Sequence, residues 1–332
     1  MRVLSTLLYH SIFDYPLTID EIHRYLISEK AVSLKSIKEV INNLLKTEEV
    51  YFHNGFFQPL APRLQAPEAL ATGGQVSLQP LALIKLHQRR KSISQKKLII
   101  AKQASRIISI IPWIKMAAVT GALAMKNADE NDDIDLMIIA SKNRLWIVRP
   151  FVLLIVSLFF KRRKPSSFSN HSGHLNHLNH SSARNHICLN LWLDKQALII
   201  PADQRNLYTA HELAQMKPIF NKDNTYERMM WENRWGRRYL ANAWGRLKGW
   251  QVNRLKKPRF SAFQPFSLFN PFNLLNLLAF RLQLWYMRPK MTTERVSLHA
   301  AFFHPGNRAA DIFTRFEALM RSICYFSLAE PI

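Results

Sequence analysis

The residue types best suited to chemistry lie in one stretch, VTGALAMKNADENDDID, from Val119 to Asp135. An apolar strand leads into it and delivers Thr120, Gly121 and Ala122 at a sharp turn before a short helix, where backbone N–H groups form a cradle for phosphate. Asp133 and Asp135 flank Ile134 at the start of the next strand. Side chains two apart on a strand share a face, so both carboxylates are expected to converge while Ile134 enters the core. Two carboxylates beside such a cradle suit Mg²⁺–nucleoside triphosphate chemistry, the metal offsetting phosphate charge and orienting in-line attack on the α-phosphorus. The competing reading is a solvated acidic turn paired with nearby Lys and Arg.

These motifs resemble the nucleotidyltransferase superfamily of DNA polymerase β, whose signature is a Gly-Ser turn followed by an Asp-x-Asp pair. The resemblance runs over roughly Lys115–Leu198. Together with FDYPLT, ICLN and LYTAHELAQ, it extends to bacterial proteins that join such a domain to an N-terminal winged helix. It implies a Mg²⁺-dependent transfer of a nucleoside monophosphate from a nucleoside triphosphate to an acceptor hydroxyl. Thr120, Gly121 and Ala122 would hold the triphosphate, and Asp133 and Asp135 the metal. Two positions depart from the pattern: Ala122 stands where the family has Ser, and Lys126 where it has a second glycine. A lysine there is read either as a phosphate ligand or as a surface residue. The family's third carboxylate, which activates the acceptor, falls on a later strand. That strand offers Asn190 at its middle and Asp194 at its end, and Asp194 is either the third catalytic carboxylate or a turn residue. The alternative function is a catalytically degenerate member acting in nucleic-acid binding or regulation.

The positioning elements follow from pattern. The expected fold class is α+β, with a winged helix over 1–60, a linker and long basic helix over 61–111, a mixed-sheet transferase domain over 112–202, and a mainly helical region over 203–332. Within the first unit, Thr18 and Glu21 form a capping box, Ser33 or Ser36 starts a third helix, and Asn54-Gly55 turns a hairpin. Segment 161–185, with His171, His174, His177 and His180, reads as an inserted loop. Residues 226–250 read as a single helix carrying Trp231, Trp235, Trp244 and Trp250. His211, Glu212 and His304 are expected at helix caps or on the surface, with substrate contact as the alternative reading.

Charge is unevenly distributed. The chain has 46 Lys plus Arg against 23 Asp plus Glu, a net charge of +23, which favours anionic partners: a nucleoside triphosphate first, a nucleic-acid or other anionic acceptor second. Residues 1–58 carry six basic and seven acidic groups, so the winged helix lacks a cationic surplus. The long helix carries Lys85, Arg89, Arg90, Lys91, Lys96, Lys97, Lys102 and Arg106. Asp129, Glu130, Asp132, Asp133 and Asp135 fall within seven residues, and no acid follows until Asp194. Such a cluster needs a counter-charge. Asp129 and Glu130 read as loop residues, and Asp132 as a residue able to position the pair. Two cysteines exclude a disulfide scaffold. The longest apolar run, Pro150–Phe160, is about ten residues short of a membrane span. Phe272–Met287 reads as a buried or amphipathic helix, with interfacial contact with lipid as the alternative, and the expected location is the cytoplasm.

Overall fold

The computed structural model describes residues 1–60, 80–162, 185–245, 270–291, 294–303 and 308–327. Most of the expected linker, the histidine-bearing loop, Trp250 and His304 lie outside the described residues. The fold is α+β, built on a mixed six-stranded sheet accompanied by a small two-stranded antiparallel sheet.

The first sixty residues form three helices, α1 (Arg2–Ser11), α2 (Ile19–Tyr25) and α3 (Leu34–Lys46), followed by β1 (Val50–His53) and β2 (Phe56–Pro59). Local chemistry explains each boundary. Thr18 and Glu21 cap α2 reciprocally, and the Ser33 hydroxyl accepts from Ser36 N–H at 3.1 Å to start α3. Asn54 and Gly55 both take positive φ, +50° and +83°, the backbone that a two-residue hairpin requires.

The central unit runs α4 (Pro80–Ile108), β3 (Ile114–Val119), α5 (Gly121–Ala124), β4 (Ile134–Ala140), α6 (Leu145–Phe159) and β5 (Ile187–Asp194). Strand β4 pairs antiparallel with β3 and parallel with β5. Alternation along the strands divides the interior into two cores. Ala117, Val119, Leu136, Ile138 and Trp192 pack against α4 and α6. Met116, Ala118, Met137, Ile139 and Leu193 face the N-terminal helices and the C-terminal segment.

Beyond residue 203 the chain is less helical than its pattern suggests. Helices α7 (Leu207–Gln215), α8 (Thr225–Glu232), α9 (Ala241–Gly245), α10 (Pro271–Met287) and α11 (Arg308–Ser327) are joined by three more strands, β6 (Lys217–Asn221), β7 (Arg295–Val296) and β8 (Ala300–Phe302). The sheet order is β6-β3-β4-β5-β8-β7. Half of the sheet therefore comes from outside the expected 112–202 unit. Two- and three-residue strands are too short to show a period of two, and β6 contains Pro218. The single helix expected over 226–250 is interrupted at Asn233. This buried amide donates to the Leu198 carbonyl at 2.7 Å and to that of Met229 at 2.9 Å. A 3₁₀ turn follows over Arg234–Arg238, and Gly236 lies so close to the Trp244 indole that a Cβ would meet it at 2.4 Å.

The N-terminal unit is bonded to the rest of the molecule. Asn242 accepts from Val32 N–H at 2.9 Å and donates to the His23 and Val32 carbonyls at 2.7 and 3.1 Å. Asn127 donates to the Phe13 carbonyl at 3.0 Å. Among the described residues, no helix is long and apolar enough to cross a membrane.

Candidate functional site

Strand β3 ends at Val119, and the turn that follows sets Gly121 at φ +61°. A Cβ on Gly121 would stand 3.2 Å from Asp135 Oδ2, so both the backbone conformation and the approach of the carboxylate select glycine. Thr120 N–H donates to the Asp135 carbonyl at 3.2 Å, fastening turn to strand. Ile134 is fully buried, while Asp133 and Asp135 on either side are half-buried, the alternation that the pair requires.

The partner of Asp135 across the sheet is Asn190, whose amide donates to Asp135 Oδ1 at 2.6 Å. The β4/β5 register pairs Leu136 with Leu189 and Met137 with Leu191, so Asn190 is the extra residue of a β-bulge. Bulges re-aim side chains. This one turns Trp192 into the opposite core, while Asn190 stays on the face of Asp135. Asn190 and Trp192 thus do not share a face, contrary to simple alternation.

Asp194 does not join this group. The register sets it opposite Ala140, whereas Asp135 faces Cys188. Six residues separate Cys188 from Asp194, which at about 3.3 Å each is on the order of 20 Å along the strand. Its buried carboxylate accepts from Asn143 N–H at 2.9 Å and Gln196 N–H at 2.8 Å, and lies 2.9 Å from His299 Nδ1. Asp194 ties together the loop after β4, its own turn and the β7–β8 hairpin. The β5 side chain bonded to Asp135 is the Asn190 amide, not a carboxylate.

The acidic loop finds its counter-charge in α4. Lys97, buried on the sheet side of that helix, donates to the carbonyls of Glu130 at 3.0 Å and Asp132 at 2.5 Å. Arg89 lies 3.8 Å from Glu130, and Arg90 lies 3.8 Å from Asp129 and 3.9 Å from Asp14. The Asp132 carboxylate accepts from Asp129 N–H at 2.7 Å and so shapes the loop. The basic face of the long helix is therefore partly spent within the molecule.

A cleft of about 1060 Å³ opens over the turn. Thr120, Gly121, Ala122, Asp132, Asp135 and Asn190 form its polar wall, facing residues of α1, α7 and α11. Asp133 and Lys126 are not part of that wall. Lys126 takes φ +59°, a left-handed backbone that favours glycine, and its side chain is exposed. Burial first, then Lys126 and Arg24, push the neighbouring Lys217 ammonium down to about 8. Sequence reasoning missed Lys217, which the pairing of Val119 with Lys217 brings beside the turn.

The deep wall of the cleft is aromatic. Contrary to the surface position expected for it, His211 is 1% exposed and stacks on Tyr9 with ring centroids 4.3 Å apart. Burial pushes His10 down to about 3, and burial followed by His10 holds His211 well below its ordinary range; both rings are neutral at pH 7. His10 Nε2, both His211 ring nitrogens and the Tyr9 hydroxyl make no hydrogen bond among the described residues. Glu212 is also on the wall, and burial and then Glu212 push the Tyr9 phenol above its ordinary range.

Among the described residues, no three His, Cys, Asp or Glu side chains are gathered to hold a metal ion by themselves. Mg²⁺ commonly takes one or two protein carboxylates and completes its shell with water and substrate phosphate. Of the two carboxylates, the cleft presents Asp135 and not Asp133, which suits a metal arriving with its phosphates rather than a resident ion. No family model, curated protein or solved structure matches this chain.

Proposed function

We propose that the cleft binds a Mg²⁺–nucleoside triphosphate on a nucleotidyltransferase-type core, and that the protein acts by binding, as a catalytically degenerate member of that fold. The observation that carries this reading is the Asn190 amide bonded to Asp135 where transfer chemistry requires a carboxylate. An amide cannot take a proton from an acceptor hydroxyl at neutral pH, and it donates to Asp135 rather than sharing a cation with it. The strand arrangement supports the fold: β3 antiparallel to β4 and β4 parallel to β5, with helices before, between and after. The Thr120–Ala122 turn would receive phosphate on backbone N–H groups, with Lys126 and Lys217 supplying positive potential nearby. Asp135, on the cleft wall, would hold the metal, which when bound offsets the charge of the triphosphate. The three helices and hairpin of residues 1–60 support a winged-helix reading in which the unit docks on this chain.

Calorimetry with Mg²⁺-ATP, GTP, CTP and UTP tests the proposal. One or more should bind, and Asp135→Ala, alone or with Asp133→Ala, should weaken that binding tenfold or more, about 1.4 kcal/mol. Absence of binding by all four overturns the reading. Transfer from an α-labelled nucleotide separates it from the enzyme reading. The native chain should label no acceptor, and Asn190→Asp should bind Mg²⁺ more tightly than the native protein. Turnover by the native chain that Asp135→Ala abolishes would establish nucleotidyl transfer instead.

A further inference from the structure

Helices α6 and α10 pack against each other, and each presents an apolar stripe to solvent. Asn143 bonds to Asn273, Trp146 N–H donates to Asn276, and Arg149 donates to Gln283. This ascending order of partners runs the two helices in the same direction, so their C-terminal ends lie side by side. On α6, Phe151, Leu154 and Leu158 form a stripe at helical spacing, with Leu154 56% and Leu158 69% exposed. On α10 the stripe is Leu278, Leu282 and Trp285, with Leu282 66% and Trp285 74% exposed.

The charge around this face has one sign. Neither helix contains an acidic residue, and none occurs in the chain over 136–193 or 233–293. Lys161 follows the end of α6, and Arg281, Arg288 and Lys290 accompany the α10 stripe, all exposed. The Lys290 ammonium lies 4.2 Å from the Tyr286 ring centroid, which places a cation and two aromatic side chains, Trp285 and Tyr286, at one end. An apolar stripe bordered by Lys, Arg, Trp and Tyr is the composition that settles into the headgroup region of an anionic bilayer, where apolar burial and attraction to acidic lipids add.

We propose that the α6–α10 face seats the protein on an anionic lipid surface. The helices lie along the interface rather than across it: α6 has 15 residues and α10 has 17, and the described helices include none suited to spanning. A second copy is a poorer occupant, because two such faces would bring like-charged rims together. Nucleic acid is also poorer, because exposed leucines offer nothing to phosphate. The inference is independent of the cleft.

Flotation of the full chain with vesicles of phosphatidylcholine, with and without phosphatidylglycerol, tests it. The protein should float with the anionic vesicles and remain at the bottom with the neutral ones. Leu154→Ser, Leu158→Ser, Leu278→Ser and Leu282→Ser together should reduce partitioning tenfold or more. Arg281→Gln, Arg288→Gln and Lys290→Gln should do the same, by roughly tenfold or more. A melting profile for each variant confirms folding. Should the leucine variant fail to fold, brominated acyl chains read the native protein, and Trp285→Phe should remove much of their quenching. Flotation that the leucine substitutions leave intact would reduce the effect to adsorption of a chain at +23 and overturn the proposal. No flotation, or a dimer that the same substitutions dissociate, would overturn it as well, the latter in favour of a second copy.

Discussion

Asp194 and Lys217 show how burial sets what a charged side chain does. Asp194 is fully buried, yet it has two backbone N–H donors and the His299 ring against its carboxylate. Asp194→Ala would leave buried donors without an acceptor, a cost of about 2–4 kcal/mol in total. Urea unfolding should show that loss, while nucleotide affinity of the folded variant stays unchanged; a catalytic Asp194 would give the opposite pattern. Lys217 is a different case, because burial first, and then its cationic neighbours Lys126 and Arg24, make the charged form unfavourable. It binds its proton less tightly in the folded state, at about 8, than at its ordinary 10.5. Below about pH 8 both states are protonated and the cost is fully present. Between 8 and 10.5 only the unfolded chain still holds the proton, so stability rises with pH. Lys217→Met should raise stability at pH 7 by on the order of 1 kcal/mol after solvent screening, and should flatten that rise. Thermal melts across pH 7–10 measure both effects.

Among the elements, those with strong local signals were legible and those made by pairing were not. The Thr18–Glu21 box and the Asn54-Gly55 turn act within a few residues, so sequence alone located them. Strands β3, β4 and β5 were legible as short apolar runs. Strands β6, β7 and β8 are held by neighbours distant in sequence, and the bulge at Asn190 has no sequence signature because it exists only relative to β4. Helix α6 shows the same dependence. Arg144 at its N-cap makes no side-chain cap, and Asn276 of α10 accepts from Trp146 N–H at 3.0 Å instead. Asn276→Leu should therefore cost about 1–2 kcal/mol. Hydrogen exchange should show the loss concentrated in the first turn of α6 and along α10.

At the scale of the whole molecule, the first sixty residues and the sheet share one core. Leu7, Ile22 and Ile41 belong to the same buried cluster as Met137 and Leu193. Asn242, 6% exposed, makes three of the bonds that join α2 and the segment before α3 to α9. Asn242→Ala should destabilise by about 2–3 kcal/mol and, because the core is continuous, should lower one cooperative transition rather than split it in two. A second, separate transition in calorimetry would show that the units fold independently.

The sequence by itself determined which residues form the turn, the acidic pair and their strands, because apolar periodicity, glycine and clustered charge are local properties. It left open whether Asn190 or Asp194 faces Asp135, whether the acidic loop must recruit an outside cation, and where His211 lies. Tertiary structure decided all three. Alternation from Cys188 keeps Asn190 on the face of Asp135, a bulge turns Trp192 into the opposite core, and strand rise carries Asp194 far along the sheet. Lys97, Arg89 and Arg90 reach the acidic loop only when α4 packs on the sheet, and His211 meets Tyr9 only when the N-terminal helices dock. Register and packing relate residues far apart in the chain, and no local pattern encodes their distances.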